Sequence, residues 1–154
     1  EVTESIIENS NKDYDEVWCV FDMDVKRGEK EFADFDNAIK SGISKGYNIA
    51  YSNDAFELWF YLHYNYTDHA NHRKFYYKSL GQLWECNYEK IGKSYEFCLD
   101  LYSRLSNDKN ASQKEAIDRA EKLFNEQSQL EYHKQNPVTK VYELVNFLND
   151  NCRK

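Results

Sequence analysis

The sequence predicts an α/β protein, with a small parallel sheet in residues 1–66 and a helical C-terminal half in 67–154, together one domain. Three observations carry this expectation. The run Glu16-Val17-Trp18-Cys19-Val20-Phe21, closed by Asp22 and Asp24, is short, apolar and rich in β-branched and aromatic residues, the signature of a buried strand. From Phe32 to Ser44 the residues Phe32, Phe35, Ala38, Ile39 and Ile43 recur at spacings of three and four, as an amphipathic helix requires, and Tyr47–Tyr51 comes next as a second strand. Strand, helix and strand at this spacing form a parallel unit. Beyond that unit the apolar spacing is helical throughout.

Taken in order, Val2–Glu8 reads as a helix released by the polar run Asn9–Asp13. Val25–Lys30 is a polar loop, and Gly42 and Gly46 are stop signals for the helix before the second strand. Ser52-Asn53-Asp54 supplies a cap for the very apolar helix Ala55–Tyr64, which has to be buried nearly all round. Helices are expected over Arg73–Glu85, Tyr88–Leu105, Ser112–Leu130 and Val138–Asn151. Asn136 as cap and Pro137 in the first turn start the last of these, with Val141, Leu144, Val145 and Leu148 as its core stripe.

The chain has 154 residues and a formal net charge of −7, enough length for one core and no overall basic field for nucleic acid. Contact with phosphates then needs a local patch or metal ions, which disfavours a simple DNA-binding module more than a metal-dependent nuclease. The four cysteines have no Cys-x-x-Cys spacing, and Cys19 and Cys98 lie in apolar patterns as expected buried thiols. This usage predicts a reduced, cytoplasmic protein. No apolar run is long enough to cross a bilayer, so no membrane partner is expected. The chain opens on Glu1 inside a helical pattern, as the later part of a larger polypeptide would.

Chemistry concentrates at the end of the first strand. Asp22 and Asp24 point to the same side of an extended chain and can share Mg²⁺ or Mn²⁺, in the crevice where α/β sheets bind ligands. Glu57 is a carboxylate inside an apolar helix, costly unless paired or bound to a cation, and it comes after the second strand at the same sheet edge. It is a third candidate metal ligand, set against a plain helix-dipole role. His63 is a candidate catalytic residue, set against a hydrogen-bonded core histidine. His69 and His72 lack zinc-ligand spacing, and Gly92-Lys93-Ser94 lacks the first glycine and preceding strand of a phosphate-binding loop. Phe21-Asp22-Met23-Asp24 also resembles the nucleophile motif of haloacid-dehalogenase-type phosphatases, although the next residues, Val25-Lys26-Arg27-Gly28, depart from that motif's continuation.

The blocks Val17–Asp24, Ala50–Trp59 with His63, Tyr88-Glu89-Lys90 and Asn136-Pro137-Val138-Thr139 together resemble the RloB-like family, Toprim-related proteins of bacterial defence loci. The resemblance runs from about Asp15 to Leu148, and Ser52-Asn53-x-x-Phe56-Glu57-x-Trp59 is its most specific part. It implies a partial Toprim-like parallel sheet and a Mg²⁺-dependent nuclease of an anti-phage, abortive-infection type system. Asp22, Asp24 and Glu57 would be the metal-binding acids, and an AAA/ABC-type ATPase encoded alongside would be the partner. The substrate would be DNA or RNA, and a second copy of the chain is a further candidate partner. The early strand carrying the Toprim glutamate has no counterpart here, so the chain alone is expected to lack a complete site. The competing class is a non-catalytic, metal-binding interaction subunit of the ATPase. Aromatic residues at Phe75, Tyr76, Tyr77, Trp84, Tyr88, Tyr95 and Tyr102 are either core or the surface on which a partner docks.

Overall fold

The computed structural model describes residues 2–10, 12–23 and 28–151. After helix α1 (Val2–Ser10), strand β1 (Trp18–Asp22) leads through helix α2 (Glu29–Ser44) to strand β2 (Asn48–Asn53). The two strands pair in parallel, Trp18 opposite Asn48 and Asp22 opposite Ser52, as the strand–helix–strand spacing requires. The link from α2 into β2 turns at Gly46, whose φ of +79° is readily adopted only without a side chain.

The sheet is mixed rather than purely parallel. Val138 and Thr139 form a short strand β3 antiparallel to β2, giving the order β1-β2-β3. The expected helix start at Asn136-Pro137 is therefore corrected: helix α8 begins only at Val141. Two β-branched residues beside a free strand edge gain ladder bonds there. The buried Ser52 and Thr139 hydroxyls also pair across the strands at 2.7 Å. β2, flanked on both sides, buries Ile49 through Asn53 continuously. β1 lies at the edge of the sheet and is only half-buried, with Val20 46% exposed, so its expectation as a buried strand is corrected.

Helix α3 (Glu57–Leu62) is buried nearly all round, as its composition demands. Its start differs from expectation, because Ser52 and Asn53 belong to β2 and no side chain of its own segment caps it. Helices α4 (Arg73–Leu83), α5 (Tyr88–Ile91), α6 (Tyr95–Asn107) and α7 (Gln113–Gln127) come next, then a 3₁₀ turn (Tyr132–Lys134) and α8 (Val141–Asn151). The single helix expected over Tyr88–Leu105 is thus two, divided where the Ser94 hydroxyl accepts from the Phe97 N–H and caps α6. Ser112 caps α7 in the same way through Glu115.

Two apolar clusters hold the structure. The larger joins Leu58, Leu62, Tyr76, Leu80, Trp84, Tyr88, Phe97 and Leu123 from the helices, and the smaller joins Met23, Phe35, Ile39, Ile49, Tyr51 and Val138 around the sheet. Phe124 touches both. Among the described cysteines, Cys19 and Cys86 are half-buried, but Cys98 is exposed, against expectation, because α6 buries only Phe97. Among the described residues no helix is long and apolar enough to cross a membrane.

Candidate functional site

β1 ends at Asp22 because the pairing with β2 delivers it to the carboxyl edge of the sheet, opposite Ser52. Its carboxylate lies at the entrance to α3, where Oδ2 accepts the Phe56 N–H at 3.4 Å. Phe56 is the residue before the helix, so a carboxylate from another strand satisfies a donor that a local side chain would ordinarily cap. The residue that Asp22 holds is thus the immediate chain neighbour of Glu57.

Arg73, the first residue of α4, ties Met23 after β1 to Asp54 after β2. Its Nη2 donates to the Met23 carbonyl at 3.3 Å and the Asp54 carbonyl at 3.2 Å, and it stands 3.5 Å from Asp54 Oδ1. Burial opposes the charge of this guanidinium, but attraction to Asp54 and then Asp22 outweighs it and raises its pKa. Among the described residues, the result is an acid–base cluster in which Arg73 faces Asp54 and Asp22. Sequence reasoning missed Arg73 and Asp54, reading the first as an ordinary helix start and the second as a cap. A buried Asp is itself a sign that a cation must lie nearby.

Glu57 is 5% exposed, and its Oε1 accepts the Tyr88 hydroxyl at 3.3 Å. Burial, reinforced by the Glu57 charge, raises the pKa of that phenol, so Tyr88 stays protonated and continues to donate. His63 sits at the other end of α3, 4% exposed, with Nδ1 at 2.9 Å from the Trp59 carbonyl and its ring edge-on to the Trp59 indole. A carbonyl only accepts, so Nδ1 carries the proton. The structure thus brings Asp22 to the head of α3 beside Glu57 in sequence, and places His63 at its tail. Asp24 lies outside the described residues. Among the described residues, no three His, Cys, Asp or Glu side chains are grouped to hold one ion.

Asp22 suits a hard cation all the same. It is half-buried, and its Oδ1 accepts no bond among the described residues. Mg²⁺ needs only one or two carboxylates when water and substrate oxygens complete its shell. Glu57, in contrast, already has a protein partner.

A second acid–base pair lies away from this site. Asp36 of α2 accepts the backbone N–H of His133 and meets its Nδ1, both at 2.9 Å, while Phe32 stacks on the imidazole. It fastens the 3₁₀ turn to α2. Its sequence signal, an Asp on the buried stripe of α2, is legible only once the facing element is known.

The family model of the RloB-like protein matches residues 1–148. The chain belongs to the RloB-like family. No curated protein and no solved structure gives a match. In this RloB-like chain the matched region takes in β1, the Arg73 cluster, α3 and β3, so the acids at the sheet edge all fall inside it.

Proposed function

We propose that this RloB-like chain is the nuclease-like subunit of a bacterial anti-phage system of the abortive-infection type, acting on phosphodiesters of DNA or RNA with Mg²⁺ or Mn²⁺. The observation that carries the reading is the placement of Asp22: a half-buried carboxylate at the carboxyl edge of a sheet, fixed against the Phe56 N–H and faced by Arg73. Asp22, with Asp24 two residues on, would hold the ion. Bound there, the ion would supply charge stabilisation for a phosphodiester and a water of lowered pKa.

The chain's own groups do the positioning. Arg73 holds the Met23 and Asp54 carbonyls together, which fixes Met23, the residue after Asp22. Asp54 neutralises that guanidinium, so a cation near Asp22 is not opposed by an unbalanced positive charge. Tyr88 orients Glu57, the first residue of α3, which in this reading would steer water or a second ion. A Toprim-like sheet and an ATPase partner belong to the same reading and rest on the family.

The test pairs Asp22→Asn with the native chain, each assembled with the ATPase encoded alongside. Mn²⁺ titration calorimetry and cleavage of labelled DNA and RNA are then read together. Loss of both Mn²⁺ binding and cleavage, with an unchanged melting temperature, supports the proposal. Unchanged Mn²⁺ affinity removes it. The second reading, a metal-binding subunit without catalysis, is favoured by the engagement of Glu57 by Tyr88 and predicts Mn²⁺ binding with no cleavage in any assembly.

A further inference from the structure

A cavity of about 520 Å³ opens at the C-terminal end of α3, between α6, α7 and α8. This lies within the size range of small-molecule sites, which are largely apolar with a few fixed polar groups. Its apolar walls are Trp59, Leu105, Val145 and Leu148. Leu148 belongs to the stripe expected to pack in the core, yet it is 46% exposed here because it borders this opening. At the rim, Gln113 Oε1 accepts from Asn149 Nδ2 at 3.0 Å, joining α7 to α8.

Among the polar residues lining the cavity, His63 is the buried one. It is 4% exposed, and its Nδ1–H is committed to the Trp59 carbonyl. The other ring nitrogen, Nε2, makes no hydrogen bond among the described residues, yet it is not among the side-chain atoms sealed from solvent without a partner. His63 lines the cavity, and with Nδ1 turned to its own helix backbone, Nε2 is the ring nitrogen left available to a ligand there. Burial lowers the pKa of the imidazole, and the nearby Arg119 lowers it further, so the lone pair stays unprotonated at neutral pH.

We propose that this cavity is a binding site for a neutral, flat aromatic heterocycle that donates an N–H to His63 Nε2 and packs its ring on the apolar walls. With its Nδ1–H committed to the Trp59 carbonyl, the neutral imidazole has no free donor for an anion, and no carboxylate among the described lining residues is there to hold a cation. An uncharged donor with an apolar body satisfies both the lone pair and the walls. The site is separate from the acids at the sheet edge, and binding there does not depend on the nuclease reading.

Indole and 1-methylindole are the probes, since they differ in the N–H alone. Each is titrated into the full chain labelled with ¹⁵N at histidine, following the side-chain nitrogens by NMR. Indole is expected to bind saturably and shift His63 Nε2, with 1-methylindole weaker by about three- to tenfold. His63→Phe, which keeps a flat ring, should abolish the preference, and Val145→Trp should block both probes while the Nδ1-protonated signal of His63 persists. Absence of saturable indole binding overturns the proposal. So do equal affinities for the two probes, measured on the native chain whether or not the variants fold, and a preference that survives His63→Phe.

Discussion

At the scale of single residues, the structure is governed by how buried charges are satisfied. Asp54 has a fully buried side chain, and Arg73 is a cation beside it. Removing Arg73 leaves that buried charge less well compensated in a medium that solvates it poorly. Arg73→Met is therefore expected to lower stability by about 3 kcal/mol, and adding Asp54→Asn should restore part of that loss. Urea denaturation of the two variants and the native chain checks both statements. His63 carries a pH dependence of opposite origin. Burial, against the raising effect of the Trp59 carbonyl, holds its folded pKa below the ordinary 6.5. The unfolded chain then binds more protons as the pH falls through 6.5, so the contribution of His63 is complete above that value and is lost below it. Thermal melts from about pH 7.5 to about pH 5.5 should show a larger fall for the native chain than for His63→Phe.

At the scale of elements, close approaches decide which substitutions are tolerated. Gly81 lies in α4 against the turn that leads to α5, and a Cβ built there would stand 2.8 Å from the Cys86 carbonyl oxygen. That oxygen belongs to backbone held by the Cys86 N–H bond to the Gly81 carbonyl at 2.9 Å, so it has little room to yield. Alanine is the better helix former by about 1 kcal/mol, yet Gly81→Ala should destabilise by about 1–2 kcal/mol because the clash outweighs propensity. Calorimetric melting of the variant reads the sign directly. A stabilised variant would mean that the α4–α5 turn moves freely. The caps behave more simply: Ser94 and Ser112 each satisfy one orphan donor with a half-exposed hydroxyl.

At the scale of the whole molecule, the aromatic residues divide between core and surface. Tyr76, Trp84 and Tyr88 are buried and Tyr77 is half-buried, which is the ordinary packing outcome. Tyr95 and Tyr102 are 73% and 74% exposed, and Leu99 between them is 65% exposed. The three share one face of α6 at spacings of four and three. This stripe is where the proposed ATPase, or a second copy, would dock. Tyr95→Ser/Leu99→Ser/Tyr102→Ser is expected to weaken that association while moving the melting temperature little, since exposed side chains contribute little to folding. Sedimentation of the chain alone and with the ATPase distinguishes the two partners. Association unchanged in both would put the interface elsewhere.

The range of the forces involved sets how much of the fold and the site is legible in the sequence. The parallel β1–α2–β2 unit, the all-round burial of α3 and the helical remainder are readable, because periodicity and apolar runs are local properties of the chain. The residues Asp22, Glu57 and His63 stand out for a related reason: each is a polar group where the surrounding pattern is apolar. What each of them touches is not readable. The bond from Phe56 to Asp22 crosses from α3 to β1, and Tyr88 reaches Glu57 from another helix. Arg73 is drawn to Asp54 across a loop, and Val138–Thr139 became a strand only because the edge of β2 was open to receive it. Sequence alone determined the parallel unit, the buried helix after it and which side chains would be costly to bury. Tertiary structure decided how that cost is met, because a buried charge or an open strand edge is satisfied by whichever partner folding brings within reach, however distant in the chain.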